Sequence, residues 1–217
     1  MTKGDSYDST LKRFLDVIGS IVLLIIFFPI CLAVAITIKL DSPGPVFADT
    51  PERVGKNGKL FKMLKFRSMI INAHDMLRVD PGFKTLYEQY KRNSYKLKED
   101  PRVTKAGKFI RKHSLDEIPQ LINILKGDMS LVGPRAYYPD ELTDQQIKYP
   151  HTKSLVKKVL SIKPGITGYW QVSGRSEVNF DKRIAMDAAY VAKRSLLYDL
   201  KILLITPWAM ITGKGAV

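Results

Sequence analysis

Two adjacent carboxylates, Asp116 and Glu117, stand in the segment Ser114-Leu-Asp-Glu-Ile-Pro-Gln-Leu-Ile-Asn-Ile-Leu125, at the head of an apolar run. Neighbouring carboxylates permit divided labour: one attacks an electrophile while the other holds a divalent cation. A structural role competes with that chemistry. Ser114-x-x-Glu117 fits a capping box, yet a Ser114 cap would put Pro119 at the fifth helical position, where its ring and missing N–H are costly. With Asp116 as the cap, Pro119 falls at the third position, where the N–H would be orphaned in any case. Asp116 and Glu117 would then occupy a helix N-terminus, which favours anions and suits a carboxylate, a metal and a diphosphate together. Spacing alone leaves the cap and the chemistry both open.

Cations flank the pair. Arg102, Lys105, Lys108 and Arg111 recur every third residue, with Lys112 beside the last, and on a helix they would form one drifting stripe. Such a stripe serves equally as a solvated face or as a phosphate contact. Downstream, Gly133-Pro134-Arg135 makes a rigid bend that presents a guanidinium suited to phosphate. Further on, Lys163-Pro-Gly-Ile-Thr-Gly-Tyr-Trp-Gln171-Val-Ser-Gly-Arg175 mixes glycines, aromatics and a cation. Glycines there allow close backbone approach, and the aromatics could stack on a base or fill the core. No Walker loop or Rossmann fingerprint occurs, so triphosphate hydrolysis and hydride transfer have no motif.

The elements that must carry these groups begin with an apolar run, Phe14 to Ile38, whose only formal charge is Asp16. As a straight helix it would reach roughly 37 Å, enough to cross a bilayer. No small-x-small cleavage pattern ends it, so it is expected to stay in the mature chain. Pro29, near its middle, predicts a kink around Ile25 to Phe28. Basic residues flank it on both sides, Lys12 and Arg13 before and Lys39 after, which suits either a straight anchor or a helix that returns to its own face. After a turn-rich break at Asp41-Ser-Pro-Gly-Pro45, Asn57-Gly58 predicts a hairpin between Val46-Phe47 and Leu60–Phe66. Residues 72–98 read as a helical surface excursion. The C-terminal run Leu196 to Ile211, broken by Asp199, Lys201 and Pro207, is a poor span and suits an amphipathic segment on a bilayer surface.

Composition is consistent with one folded core: 217 residues, 45% apolar. Lysine and arginine number 35 against 21 acids, a net +14 that points to an anionic partner such as nucleic acid, a lipid surface or a phosphorylated substrate. Cys31 is the only cysteine, so no intramolecular disulfide can form, and His74, His113 and His151 are too scattered for a zinc site. A membrane-tethered nucleic-acid-binding protein is one rival reading, although no helix-turn-helix, RNA-recognition or zinc-finger signature is present. A non-catalytic assembly scaffold is another.

In order, the chain carries a basic-flanked apolar segment with a central proline, Lys65-Phe-Arg-Ser-Met69, Arg111-x-x-Ser-Leu-Asp-Glu117, Lys126-Gly-Asp-Met-Ser-Leu-Val-Gly-Pro-Arg135 and Pro164-Gly-Ile-Thr-Gly-x-x-Gln-Val-x-Gly-Arg175. This order resembles the bacterial sugar transferase family, the monotopic phosphoglycosyl transferases. The resemblance runs from about Lys12 to the C-terminus and departs at Phe28-Pro29, where the family often has Ser-Pro, and at Ala136, where it often has proline. It implies an α+β, mostly helical fold with a small β-hairpin, a re-entrant helix-break-helix over residues 1–40 turned at Pro29, and a catalytic domain over 41–217 with interfacial amphipathic helices. It further implies that Asp116 attacks the β-phosphorus of a UDP-sugar, releases UMP and passes the sugar phosphate to polyprenyl (undecaprenyl) phosphate. Mg²⁺ would be held by Glu117 with Asp116, and substrate by Arg111, Arg135, Arg175, Lys65 and Gln171. The same resemblance implies exopolysaccharide or lipopolysaccharide assembly at the inner (cytoplasmic) membrane, with the catalytic domain facing the cytoplasm. A hexose such as galactose or glucose is the expected sugar. No nucleic-acid partner is expected, and a homo-oligomer is left open.

Overall fold

The computed structural model describes residues 10–93, 95, 97, 99–173 and 178–212. Its longest element is helix α1, Thr10–Asp41, which contains the apolar run and continues through Pro29. A proline removes one backbone bond and crowds one carbonyl. Here the loss is absorbed inside an uninterrupted helix, so the expected pair of helices separated at Pro29 does not appear as two elements. One face of α1 is packed from end to end. Asp16, Ser20, Val34 and Ile38 are buried, and Leu23, Leu24, Phe27 and Cys31 pack against the core between them. These positions recur every three or four residues, the spacing of a single helical face. The opposite face, with Phe14, Ile18, Ile25, Phe28 and Leu32, is exposed and apolar.

Both ends of α1 dock on the same globular body. Near the start, Asp16 accepts bonds from Ser130 Oγ at 2.8 Å and Leu131 N at 3.0 Å, while Lys12 pairs with Asp199 at 2.8 Å. Near the end, Val34 and Ile38 pack with Phe66 and Ile110, and Asp41 Oδ2 accepts from Ala106 N at 3.2 Å.

After α1 the chain forms the expected hairpin, but from shorter strands. Strands β1 (Arg53–Val54) and β2 (Leu60–Phe61) pair antiparallel across a turn in which Asn57 and Gly58 both have positive φ, 57° and 82°. That is the conformation for which Asn-Gly is suited. Val46-Phe47, expected as the first strand, instead makes a single bridge, Phe47 opposite Phe66. The excursion that follows contains α2 (Ala73–Val79) and α3 (Lys84–Arg92). Next come α4 (Lys105–Lys112), capped by Thr104 Oγ1 accepting from Gly107 N, and α5 (Gln120–Lys126).

A second pair of strands was not foreseen. β3 (Ser130–Val132) and β4 (Gly165–Thr167) run parallel, with Ser130 opposite Gly165 and Val132 opposite Thr167. The crossover between them is α6 (Pro139–Lys148) and α7 (Lys153–Val159). Gly133 and Gly165 let the two backbones meet beyond the ladder: a Cβ on Gly165 would lie 2.1 Å from Gly133 N. The chain closes with α8 (Tyr169–Ser173), α9 (Phe180–Lys193) and α10 (Leu196–Thr212). The main core gathers Ile118, Leu121, Ile124, Val132, Tyr190 and Ile202, so α5, β3, α9 and α10 share it. Leu197, Leu204, Trp208 and Ile211 of α10 face outward. The mostly helical fold with a small hairpin matches the expectation.

Candidate active site

Asp116 and Glu117 lie in a single 3-10 turn, Leu115–Glu117, between α4 and α5. Ser114 starts that turn with φ 55° and makes no side-chain capping bond, and Asp116 does not cap α5 either. Both cap readings are therefore corrected. Pro119 directly precedes α5 with φ −59°, a value proline already holds, so it costs nothing there. Freed from capping, both carboxylates turn to Lys65, whose Nζ lies 3.2 Å from Asp116 Oδ2 and 2.8 Å from Glu117 Oε1. The backbone supports this contact: Phe66 N donates to Asp116 O at 3.0 Å, tying the Lys65 segment to the turn.

The three residues line a cleft of about 350 Å³ whose walls also carry Arg53, Arg67, Arg102, Arg111, Arg135, Trp170 and Gln171. Arg111 reaches it from the last turn of α4. Arg135 leaves β3 beyond Gly133, and its guanidinium stands 5.3 Å over the Trp170 ring. Its backbone N–H donates to Asp187 Oδ2 at 3.1 Å, and Tyr137 OH donates to the same oxygen at 2.9 Å, so α9 holds the Gly-Pro-Arg bend from behind. Gln171 Nε2 donates to Ile166 O at 3.0 Å. Five of the six substrate and dyad positions beyond Asp116 thus meet in one cleft. Arg175 lies outside the described residues.

The cationic stripe does not survive as a stripe. Lys105 and Lys108 are exposed on α4, whereas Arg102 precedes the helix and is buried in a bidentate pair with Asp100, Nε at 2.8 Å and Nη2 at 2.6 Å. Two further arginines of the cleft were given no role in the sequence reading. Arg53 lies 3.2 Å over the Tyr138 ring and donates to Ala136 O at 3.0 Å. Arg67 braces the turn after α1, donating to Pro45 O at 2.6 Å and to Ser42 O at 2.9 Å. Its place in Lys-Phe-Arg-Ser-Met was visible, but its partner on the preceding turn was not.

Electrostatics separates the two acids. Burial, with the Glu117 charge beside it, raises the Asp116 carboxyl above the ordinary range, against the pull of Lys65 and Arg111. Glu117 is half-buried, and against the desolvation this brings, Lys65 first, then Arg135 and Arg53, hold it below its ordinary value. Lys65 is desolvated too, yet the paired carboxylates keep it firmly protonated. His74 on the cleft wall is pushed down to about 3 by burial and the surrounding arginines, so it is neutral at physiological pH.

The arrangement offers a carboxylate nucleophile at the floor of a cationic cleft, suited to an anionic electrophile such as a diphosphate. Among the described residues no group of three or more His, Cys, Asp or Glu could enclose a metal. Two adjacent carboxylates facing an arginine-lined cleft still fit Mg²⁺, which commonly takes one or two protein carboxylates and completes its shell with water and substrate phosphates.

A family model described as Bacterial sugar transferase matches residues 7–213. The chain is 42% identical over 210 residues to a Salmonella typhimurium protein named undecaprenyl-phosphate galactose phosphotransferase, covering 95% of this chain and 41% of that one. It is 40% identical over 209 residues to the exopolysaccharide production protein ExoY of Rhizobium meliloti, covering 94% and 87% respectively. It is 35% identical over 215 residues to an Escherichia coli UDP-glucose:undecaprenyl-phosphate glucose-1-phosphate transferase, covering 95% and 41%. The chain thus spans about two-fifths of the Salmonella and Escherichia relatives and most of ExoY. With almost its whole length inside that family model, and with the motifs converging on one cleft, the chain belongs to the bacterial sugar transferases.

Proposed function

We propose that the protein transfers a sugar 1-phosphate from a UDP-sugar to polyprenyl phosphate and so begins a glycan on a lipid carrier. The observation that carries this reading is the Asp116–Glu117 pair, bridged by Lys65 at the base of the arginine-lined cleft. An Asp116 oxygen attacks the β-phosphorus, the bond from that phosphorus to the UMP oxygen breaks, and UMP leaves with the electron pair. A phosphate oxygen of the acceptor then attacks the same phosphorus and frees the Asp116 carboxylate. Arg111 and Arg135 offset the charge on the diphosphate, Lys65 keeps Asp116 ionised, and Gln171 shapes the cleft wall. Glu117 with Asp116 would hold Mg²⁺, which would supply neutralisation of phosphate charge. The names of the relatives favour an unmodified hexose, galactose or glucose.

Monotopic attachment to the cytoplasmic face of the inner membrane belongs to the same reading, with α1 entering and leaving one leaflet. Supporting it are the docking of both ends of α1 on one body, its apolar outer face and the outward apolar side chains of α10. A straight span would carry one end away from that body.

The test is a panel of UDP-sugars assayed for UMP release with undecaprenyl phosphate and Mg²⁺. One hexose donor should support turnover, and failure of every donor would refute the reading. For topology, Cys31 is replaced and single cysteines are placed at Ser6 and Lys39. Both should stay shielded from an impermeant thiol reagent until the inner membrane is opened. Labelling of one alone in cells with a breached outer membrane would show a span.

A further inference from the structure

The cleft has one apolar lip. Ile70 and Ile71 line it and are 38% and 45% exposed, and Pro45 lines it beside them. Phe47, 50% exposed, stacks on Phe66 with ring centroids 5.6 Å apart and planes 9° from parallel. The N–H of that same Phe66 bonds the Asp116 carbonyl, so the aromatic pair sits next to the dyad turn. Gly44, at φ +117°, brings the chain directly against Ile71: a Cβ there would stand 2.7 Å from Ile71 Cδ1. Arg67 pins this turn through its bonds to Ser42 and Pro45. The turn continues from the end of α1, where Leu40 is 83% exposed. Exposed apolar side chains thus recur from the outer face of α1 through Leu40 and Phe47 to Ile70 and Ile71 at the cleft mouth, while the cleft walls around the dyad carry the arginines.

Resting on the transferase reading, we propose that Phe47, Ile70 and Ile71 form the seat for the first isoprenoid units of the lipid acceptor. The acceptor's phosphate must reach the arginine cleft, and its hydrocarbon must return to the bilayer without crossing charged walls. The lip meets both demands, and its branched and aromatic side chains match a branched hydrocarbon. Its place on the turn that follows α1, next to that helix's exposed apolar residues, favours a membrane-borne chain over a soluble ligand.

The experiment uses the full chain in nanodiscs with UDP-galactose or UDP-glucose, whichever the panel accepts. Ile71→Asn and Phe47→Ser are each expected to raise KM for undecaprenyl phosphate about tenfold, the effect of uncovering roughly two methylene-sized groups of the acceptor chain. KM for the UDP-sugar and partitioning into nanodiscs should stay within about twofold of the parent. An undecaprenyl phosphate bearing a diazirine in its second isoprene unit should label the peptides containing Phe47 or Ile71. An unchanged acceptor KM in both variants overturns the proposal. So does a raised KM accompanied by weaker nanodisc binding, which would mean that the lip contacts bulk lipid. Labelling needs no turnover: if no UDP-sugar releases UMP, the transferase reading fails by itself, and the site of labelling still decides the lip.

Discussion

Replacing Lys65 by methionine should move the acid limb of the pH–rate profile upward. The Lys65 ammonium lies 3.2 Å from Asp116 Oδ2 and 2.8 Å from Glu117 Oε1, and methionine keeps the stem without the charge. Two unit charges about 4 Å apart interact by on the order of 4 kcal/mol at an effective dielectric of about 20. The side chains of Lys65 and Glu117 are 20% and 30% exposed, and screening there reduces the figure to about 2 kcal/mol. The sign is fixed by the charge removed. Without the cation both carboxylates are harder to ionise, so the reactive form of Asp116 is lost at a higher pH. At about 1.4 kcal/mol per pH unit, the acid limb of kcat/KM should rise by roughly one to two units. Lys65→Arg, which keeps the charge, should stay within about half a unit of the parent. The assay is UMP release from the preferred UDP-sugar between about pH 5 and about pH 9, at fixed Mg²⁺ and acceptor. A lowered plateau with an unmoved acid limb in Lys65→Met would refute the reasoning and assign Lys65 to substrate instead.

Asp116→Asn should lower turnover by several orders of magnitude and abolish a sugar-phosphate adduct on its peptide, with an unchanged circular dichroism spectrum; near-parental activity would remove Asp116 as nucleophile. Glu117→Gln should retain more activity than Asp116→Asn but need more Mg²⁺ for half-activation, and superimposable metal titrations would take Glu117 out of the metal site. Asp16→Leu strips acceptors from Ser130 Oγ and Leu131 N and a partner from Lys12. At about 3 kcal/mol it should lower Tm in detergent by about 6–12 °C. The buried Asp187 carboxyl is pushed up to about 7 by desolvation, only partly opposed by its bonds from Arg135 N and Tyr137 OH. A raised folded value means that its contribution to stability is complete below its ordinary value of 3.8 and is lost as pH rises through about 7. Asp187→Asn should therefore flatten the decline of Tm across that window, and an unchanged slope would assign the decline to other groups.

The legible parts of the molecule are those written in neighbouring residues. Asn57-Gly58 announced its turn because both positions need positive φ, a local demand. The apolar length of α1 and the outward face of α10 were equally plain. Partners far apart in the chain were hidden. Lys65 is 51 residues from Asp116, and no periodicity links them. Asp16 read as a lone charge in an apolar run because its acceptor role depends on β3, more than a hundred residues away. The β3–β4 ladder, three residues a side, is too short for alternation to show. Arg102 was misplaced on a helical stripe because spacing cannot reveal that Asp100 folds back onto its guanidinium. Ser114 looked like a cap because its residue type favours one, but its left-handed backbone points the chain elsewhere.

Arg13, on the first turns of α1, donates to the carbonyls of Ile124 and Leu125 at the far end of α5, while the turn bearing Asp116 and Glu117 feeds the near end of the same helix. Seven residues of helix span only about 10 Å. α5 therefore links the start of the apolar helix α1 to the turn carrying the paired carboxylates over a fixed length. On the membrane reading proposed above, the height of the Asp116 turn over the lipid would be set by helix geometry instead of by the balance of surface charges. High salt would then weaken the adhesion of the basic surface while leaving the working height of Asp116 where that helix puts it.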